Sequence, residues 1–159
     1  MREARRLAAA STCIVLSACS GMGTAPAVTP PFNLAGTTWQ LQEITSMDDS
    51  QASVRPAAER PTRVHFGADG RASFQLDCNR GSGRWSAQPA PDGAGGSLQF
   101  GAIGVTRAMC PPPALDTRIA RDLEAVRSYL VRDGILSMSL MADGGIYRWQ
   151  RAPDASMAP

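Results

Sequence analysis

Apolar and polar residues alternate strictly from Ala72 to Cys78, and the alternation ends in a turn-forming run. Ala72, Phe74, Leu76 and Cys78 fall on one face of an extended strand, with Ser73, Gln75 and Asp77 on the other. Asn79 and Gly81 tolerate positive φ, so the strand is predicted to turn there. A second cysteine, Cys110, closes the run Thr106-Arg107-Ala108-Met109-Cys110, 32 positions further on. The framework expected from this pattern is a set of short strands arranged around one covalent clasp, Cys78–Cys110.

The rest of the chain repeats the strand signal. Trp39 and Leu41 alternate with Gln40 and Gln42 between Thr38 and Ile44. Arg63-Val64-His65-Phe66 is a second strand, and Gly67-Ala68-Asp69-Gly70 is a tight turn that pairs it with the strand at Ala72. Further strands are predicted around Trp85 and over Ser97 to Phe100, separated by the Pro/Gly loop Pro89 to Gly96. After Pro111-Pro112-Pro113 the period changes. Leu115, Ile119, Leu123, Val126 and Leu130 recur at spacings of three and four, which predicts an amphipathic helix of about four turns. Tyr129 to Arg132, Ile135 to Met141 and Ile146 to Arg151 then read as three closing strands. The expected class is α+β, mainly antiparallel: an approximately eight-stranded meander curled into a partly open barrel, with one helix before the last three strands.

The first residues carry a different signal. Arg2, Arg5 and Arg6 precede the apolar run Leu7 to Leu16, and Leu16-Ser17-Ala18-Cys19 follows. The run is too short to span a hydrocarbon core of about 30 Å as a helix. It reads as an export signal over residues 1–18, ending in a bacterial lipobox with Cys19 as the lipidated residue. Several acyl chains on one cysteine suffice for stable anchoring. Residues 19–34, rich in Gly, Pro, Ala and Thr, are then a flexible tether, 35–151 the folded domain and 152–159 a loose tail. The expected location is the cell envelope, facing the periplasm. Ser20 after the cysteine, where Asp marks inner-membrane retention, favours the outer membrane.

Removal of residues 1–18 changes the charge argument. Of 16 basic and 14 acidic residues in the chain, three Arg and one Glu lie in that segment, which leaves 13 of each sign. A neutral domain lacks the electrostatic footprint of a nucleic-acid binder. The cysteine count closes in the same way. Cys13 leaves with the signal and Cys19 takes lipid, so Cys78 and Cys110 remain as an even pair in an oxidising compartment. The alternative is two separate buried thiols.

Three motifs occur in order: Gly36-Thr37-Thr38-Trp39-Gln40-Leu41, Asp77-Cys78-Asn79 and Thr106-Arg107-Ala108-Met109-Cys110. They resemble the "GTxWxL", "GCN" and "TxMAC" motifs of the META domain, the HslJ-like lipoprotein family. The resemblance covers about residues 34 to 151. It implies Gly36, Thr37, Trp39, Leu41, Asp77, Cys78, Asn79, Thr106, Met109 and Cys110 as the family's motif positions. Asp77 stands where the family usually has Gly. Ala108-Met109 inverts the usual order and moves the large side chain by one position, toward the other face of an extended segment. The resemblance also implies a small antiparallel barrel with one helix, in a family linked to the envelope, heat response and drug tolerance, with no established catalytic activity.

Catalytic and metal chemistry find little support in the residues. His65, the single histidine, sits between Val64 and Phe66 and faces the polar side of its strand. Cys78 is expected on the apolar face of the neighbouring strand, so a Cys/His nucleophile pair is not formed. Two cysteines 32 apart and one histidine lack paired zinc-ligand spacing. Arg80-Gly81-Ser82-Gly83-Arg84 offers glycines and two guanidiniums to a phosphate, but without the Lys-Ser/Thr of a P-loop it reads as a plain turn leading into a strand. Asp69, Asp77 and Glu43 read as solvated acids, while Trp39, Trp85, Trp149, Met138 and Met141 read as core. No catalytic residue, metal or cofactor is expected. The function expected is that of a non-catalytic envelope lipoprotein that binds a protein partner or supports envelope integrity and tolerance under stress. The alternative is a carrier or sensor of a small apolar ligand, which requires a hollow interior. An enzyme is the third reading.

Overall fold

The computed structural model describes residues 32–47 and 52–152. The signal segment, Cys19, most of the tether and residues 153–159 lie outside the described residues. The elements are β1 (Thr37–Thr45), β2 (Arg63–Phe66), β3 (Arg71–Leu76), β4 (Asn79–Pro89), β5 (Gly95–Phe100), β6 (Gly104–Val105), α1 (Asp116–Leu123), β7 (Val126–Arg132), β8 (Ile135–Leu140) and β9 (Ile146–Ala152). All pairings are antiparallel, in the order β3-β2-β1-β9-β8-β7-β5-β4-β6, and β3 also pairs with β4. Eight strands therefore close a barrel and the two-residue β6 adds to β4. The class expected from sequence is what forms, with the ladder completing its circuit.

Closure is weakest between β5 and β7, which pair only over Gly95, Gly96 and Ser97. Val105 of β6 and the preceding Ile103 share a groove with Ala120 and Arg121 of α1. Ile119 and Leu123, four apart on one face of α1, are buried. Glu124, just after the helix, accepts a hydrogen bond from the backbone N–H of Ile103 at 3.1 Å. Glu124 thus satisfies a donor beside the short edge strand β6.

The helix is shorter than predicted, ending at Leu123, and Val126 and Leu130 belong to β7. Val126 and Leu130 continue the helical spacing from Leu123 past the end of α1, and β7 has a register shift between Val126 and Ser128. The bulge turns both Val126 and Tyr129 inward, which gives a strand the three-residue spacing of a helix. A second bulge in β1, between Leu41 and Glu43, brings Leu41 and Ile44 inward in the same way. Leu130, expected on the apolar face of the helix, is exposed.

Apolar side chains pack the interior. Trp39, Trp149, Tyr147, Phe66, Phe74, Leu76, Leu98 and Leu136 are among the fully buried side chains. Phe66 stacks against Phe100 at 5.9 Å and meets Trp85 edge-on at 5.0 Å. Leu34, assigned by sequence to the tether, is buried in this core, and Phe32 meets Trp39 edge-on at 6.1 Å. Ala152, assigned to the tail, is the last residue of β9 and is buried. Met138 is core as expected, whereas Met141 is half exposed. Among the described residues no helix is long and apolar enough to cross a membrane.

Candidate functional site

The turn after β3 differs from its prediction by two residues. The strand ends at Leu76, and Asp77, not Asn79 or Gly81, takes the left-handed conformation with φ 59°. That single residue breaks the alternation. Cys78 therefore faces outward rather than into the core, and Asn79 opens β4 fully buried. Left-handed backbone suits Gly first and Asn or Asp next, so Asp77 meets the conformational need that a Gly at this position would meet.

Asn79 is the hub of the site. Its Oδ1 accepts from the Thr106 hydroxyl at 2.9 Å and from the backbone N–H of Ala108 at 2.8 Å. Its Nδ2 donates to the Ala108 carbonyl at 2.9 Å and to Asp116 Oδ2 at 3.0 Å, with Cys110 Sγ at 3.4 Å. Thr106 Oγ1 in turn accepts from the Arg80 N–H at 3.0 Å. One buried amide thus ties β4 to the 106–110 segment and to the first turn of α1. A primary amide does this without charge because it both donates and accepts.

Two further links fasten the same segment. Cys78 and Cys110 form a disulfide, with sulfurs 2.06 Å and Cα atoms 5.6 Å apart. Arg60 Nη1 lies 3.0 Å and 3.2 Å from the two carboxylate oxygens of Asp77 and donates to the Pro111 carbonyl at 2.6 Å. Asp77, expected to be solvated, is buried in this pair. Arg60 was not among the residues singled out from sequence. It sits in the long connection between β1 and β2, 17 positions from Asp77 and 51 from Pro111, so no local pattern marks it.

The first motif lies elsewhere. Thr37 donates to the Leu34 carbonyl, and Trp39 Nε1 donates to Thr37 Oγ1 at 2.7 Å. Gly36 has φ 74° and Leu41 is core. These residues secure the start of β1 and are not brought to the Asn79 hub. His65 keeps the polar face it was assigned, half-buried, with Nδ1 and Thr38 Oγ1 3.0 Å apart. Trp39 and Trp149 are core; Trp85 is partly buried and donates to the Gly67 carbonyl at 3.1 Å.

Beside the hub, β6 and α1 frame a groove of about 540 Å³. Ile103, Val105 and Ala120 line its floor, with Arg107 and Arg121 among its charged residues. Met109, at the crest of the clasped segment, is 98% exposed. The inverted Ala108-Met109 order has therefore put the small residue at the hub and the large one in solvent. Ligand atoms of Asp77, Cys110 and Asp116 lie within 4.8 Å of one another. They are already engaged: Asp77 with Arg60, Asp116 with the Asn79 amide, and the sulfur in the disulfide. A disulfide sulfur is not the thiolate that binds a metal.

The META domain family matches residues 32–153. No curated protein matches the chain. Among solved structures, a DUF4847 family protein from Bacteroides vulgatus, at 1.00 Å resolution, is similar in fold, with a TM-score of 0.51 and 14% identity. The likeness covers 74% of this chain and 93% of that one.

Proposed function

The chain belongs to the META domain family, and from that premise we propose a non-catalytic binding module of the bacterial cell envelope. In this reading it is lipid-anchored through Cys19, periplasm-facing and held at the outer membrane. The observation that carries it is how the motif side chains are spent. Asn79, Thr106, Asp77 and both cysteines are consumed in bonds to one another and to Arg60, Asp116 and the 106–113 backbone. None is left as a free nucleophile, base or ligand. What this group of bonds does instead is fasten a segment at the surface, with Met109 exposed next to Ala108, which lines the groove between β6 and α1. A flexible, polarizable methionine beside an apolar-floored groove is a contact point for a protein partner. A disulfide suits the oxidising periplasm.

The carrier alternative needs a hollow interior lined by the tryptophans. Trp39 and Trp149 are instead packed among the core side chains, which favours the partner-binding reading. The test places a photo-crosslinking residue at Met109 in cells, with the same residue at Met47 as the control. A discrete protein adduct from position 109 alone is expected. Adducts at both positions, or none at 109, would overturn the assignment of this surface.

A further inference from the structure

The run Arg80-Gly81-Ser82-Gly83-Arg84 is neither a turn nor a phosphate nest, because it forms the first half of β4. Alternation turns Arg80, Ser82 and Arg84 outward. Register with β3 then sets Arg84 opposite Arg71, Ser82 opposite Ser73 and Arg80 opposite Gln75. All three arginines and both serines are exposed. Like charges directly opposite each other on a sheet face are unfavourable. The ion pairs among the described residues are Arg55–Glu43, Arg60–Asp77, Arg118–Asp122 and Arg121–Asp122, so no carboxylate neutralises Arg71, Arg80 or Arg84. Asp69, close in sequence, is bound to the backbone N–H of Arg71 at 3.0 Å.

The other flank of β4 is bare. Gly104 faces Ser82, and a Cβ on Gly101 would lie 3.9 Å from the Arg84 Cβ, so both neighbouring positions lack a side chain. A shallow depression of about 470 Å³ runs beside Arg80 and Ser82. The result is an open, flat face of three guanidiniums with two hydroxyls between them, the donor geometry that takes phosphate oxygens bidentately.

We propose that this β3–β4 face docks on a lipid surface bearing anionic phosphate headgroups. Arg80 and Arg84 are about 13 Å apart along the strand at 3.3 Å per residue. One small anion cannot engage both ends, whereas an array of headgroups can. From residue 19 onward the chain carries 13 arginines and 13 acids, so it lacks the broad positive field with which proteins track nucleic acid. The face borders the groove between β6 and α1 at Val105 and Thr106, and the inference does not depend on a partner there.

The experiment is vesicle co-sedimentation of residues 19–159, with Cys19→Ser in every sample, so that neither an acyl chain nor the basic, apolar segment Arg2 to Leu16 contributes. Phosphatidylglycerol vesicles are compared with phosphatidylcholine vesicles. The triple variant Arg71→Gln/Arg80→Gln/Arg84→Gln is expected to bind the anionic vesicles on the order of a hundredfold more weakly, about fivefold per arginine. Arg84→Gln alone also relieves the like-charge pair. It should weaken binding about fivefold without lowering the thermal midpoint, which keeps the test open should the triple variant misfold. Arg132→Gln, at the exposed end of β7, should change nothing. Unchanged binding by the β3–β4 variants, or equal loss with Arg132→Gln, overturns the proposal. So does full competition by inorganic phosphate, which marks a single-anion site, or tighter binding to a duplex oligonucleotide than to vesicles.

Discussion

The guanidinium of Arg60 sits 3.0 Å from the Asp77 carboxylate, with 18% of one side chain and 7% of the other exposed. The pair is shielded from solvent, and Arg60 also holds the Pro111 carbonyl. Removing the carboxylate leaves a largely buried cation without its counter-charge. Asp77→Ala is expected to cost about 3 kcal/mol, at the lower end for breaking a buried pair. Asp77→Gly should cost about 1 kcal/mol less, because Gly adopts φ 59° freely and Ala does not. Chemical denaturation of the two variants checks both the size and the order. Equal losses would mean that the backbone conformation of residue 77 carries no energy.

Asn79 offers a sharper case, since its amide is both donor and acceptor in a site closed to water. Asn79→Asp preserves shape and the oxygen that accepts from Thr106 and Ala108. It replaces the donating nitrogen by an anionic oxygen facing the Ala108 carbonyl and Asp116. Asn79→Asp is expected to lose at least about 3 kcal/mol at neutral pH, more than Asn79→Ala, because a charge is left buried against acceptors. Stability of Asn79→Asp should recover in part as the pH falls and the new carboxyl is protonated. A variant with no recovery on acidification would place the damage elsewhere.

The disulfide adds to the same junction. On the chain-entropy view a bridge between residues 32 apart stabilises by roughly 3 to 4 kcal/mol. Cys110→Ser should lower the unfolding midpoint by several degrees for a domain of this size. The sulfur of Cys110 also accepts from the Cys78 backbone N–H at 3.3 Å, so the serine variant reads the bond together with its local packing. Thiol alkylation of the denatured, unreduced protein should modify neither Cys78 nor Cys110. Alkylation of both would leave two free thiols in place of the clasp.

Alternation made β2, β3, β8 and the first part of β9 readable, since each keeps period two there with one face buried. The junction of α1 with β7 is where reading failed. Leu123, Val126 and Leu130 keep helical spacings across the end of α1, although Val126 and Leu130 belong to β7. The Asn79 and Cys78–Cys110 junction was visible as motifs, but its other half was not. Arg60 and Asp116 reach it only through tertiary folding, across 17 and 37 positions. The Arg71–Arg84 face was hidden for a related reason. Arg80 and Arg84 are plain in the sequence, yet their outward alignment with Arg71 exists only once the register of β3 on β4 is set.

Lipid anchoring at Cys19 rests on the sequence Leu16-Ser17-Ala18-Cys19 after a short apolar run. Expression of the native chain should give a processed form whose N-terminal peptide carries the mass of acyl chains and partitions into detergent. Cys19→Ser should accumulate as unprocessed precursor with neither property. Normal processing of the variant together with a fully water-soluble native protein would rule the lipobox out.

The Tyr147 hydroxyl donates to Asp122 Oδ2 at 2.7 Å, beneath a carboxylate that Arg118 and Arg121 also engage. Burial first, then the Asp122 hydrogen bond and charge, push the phenol well above the ordinary tyrosine value of about 10. Because the folded value is the higher one, the unfolded chain gives up this proton first as the pH rises. The stabilisation is therefore complete below about pH 10 and is lost progressively above it, by up to about 1.4 kcal/mol per pH unit for one proton. Tyr129, also raised by burial, adds to the loss in the same direction. Tyr147→Phe is expected to cost about 1 to 2 kcal/mol at neutral pH, since Asp122 keeps its arginine partners. Above about pH 10 its stability should fall less steeply than that of the native protein, leaving the slope that Tyr129 supplies. Denaturation series at neutral and alkaline pH read both effects from the same samples. Parallel curves for the two proteins would show that the Tyr147 proton is no harder to remove in the fold than in the unfolded chain.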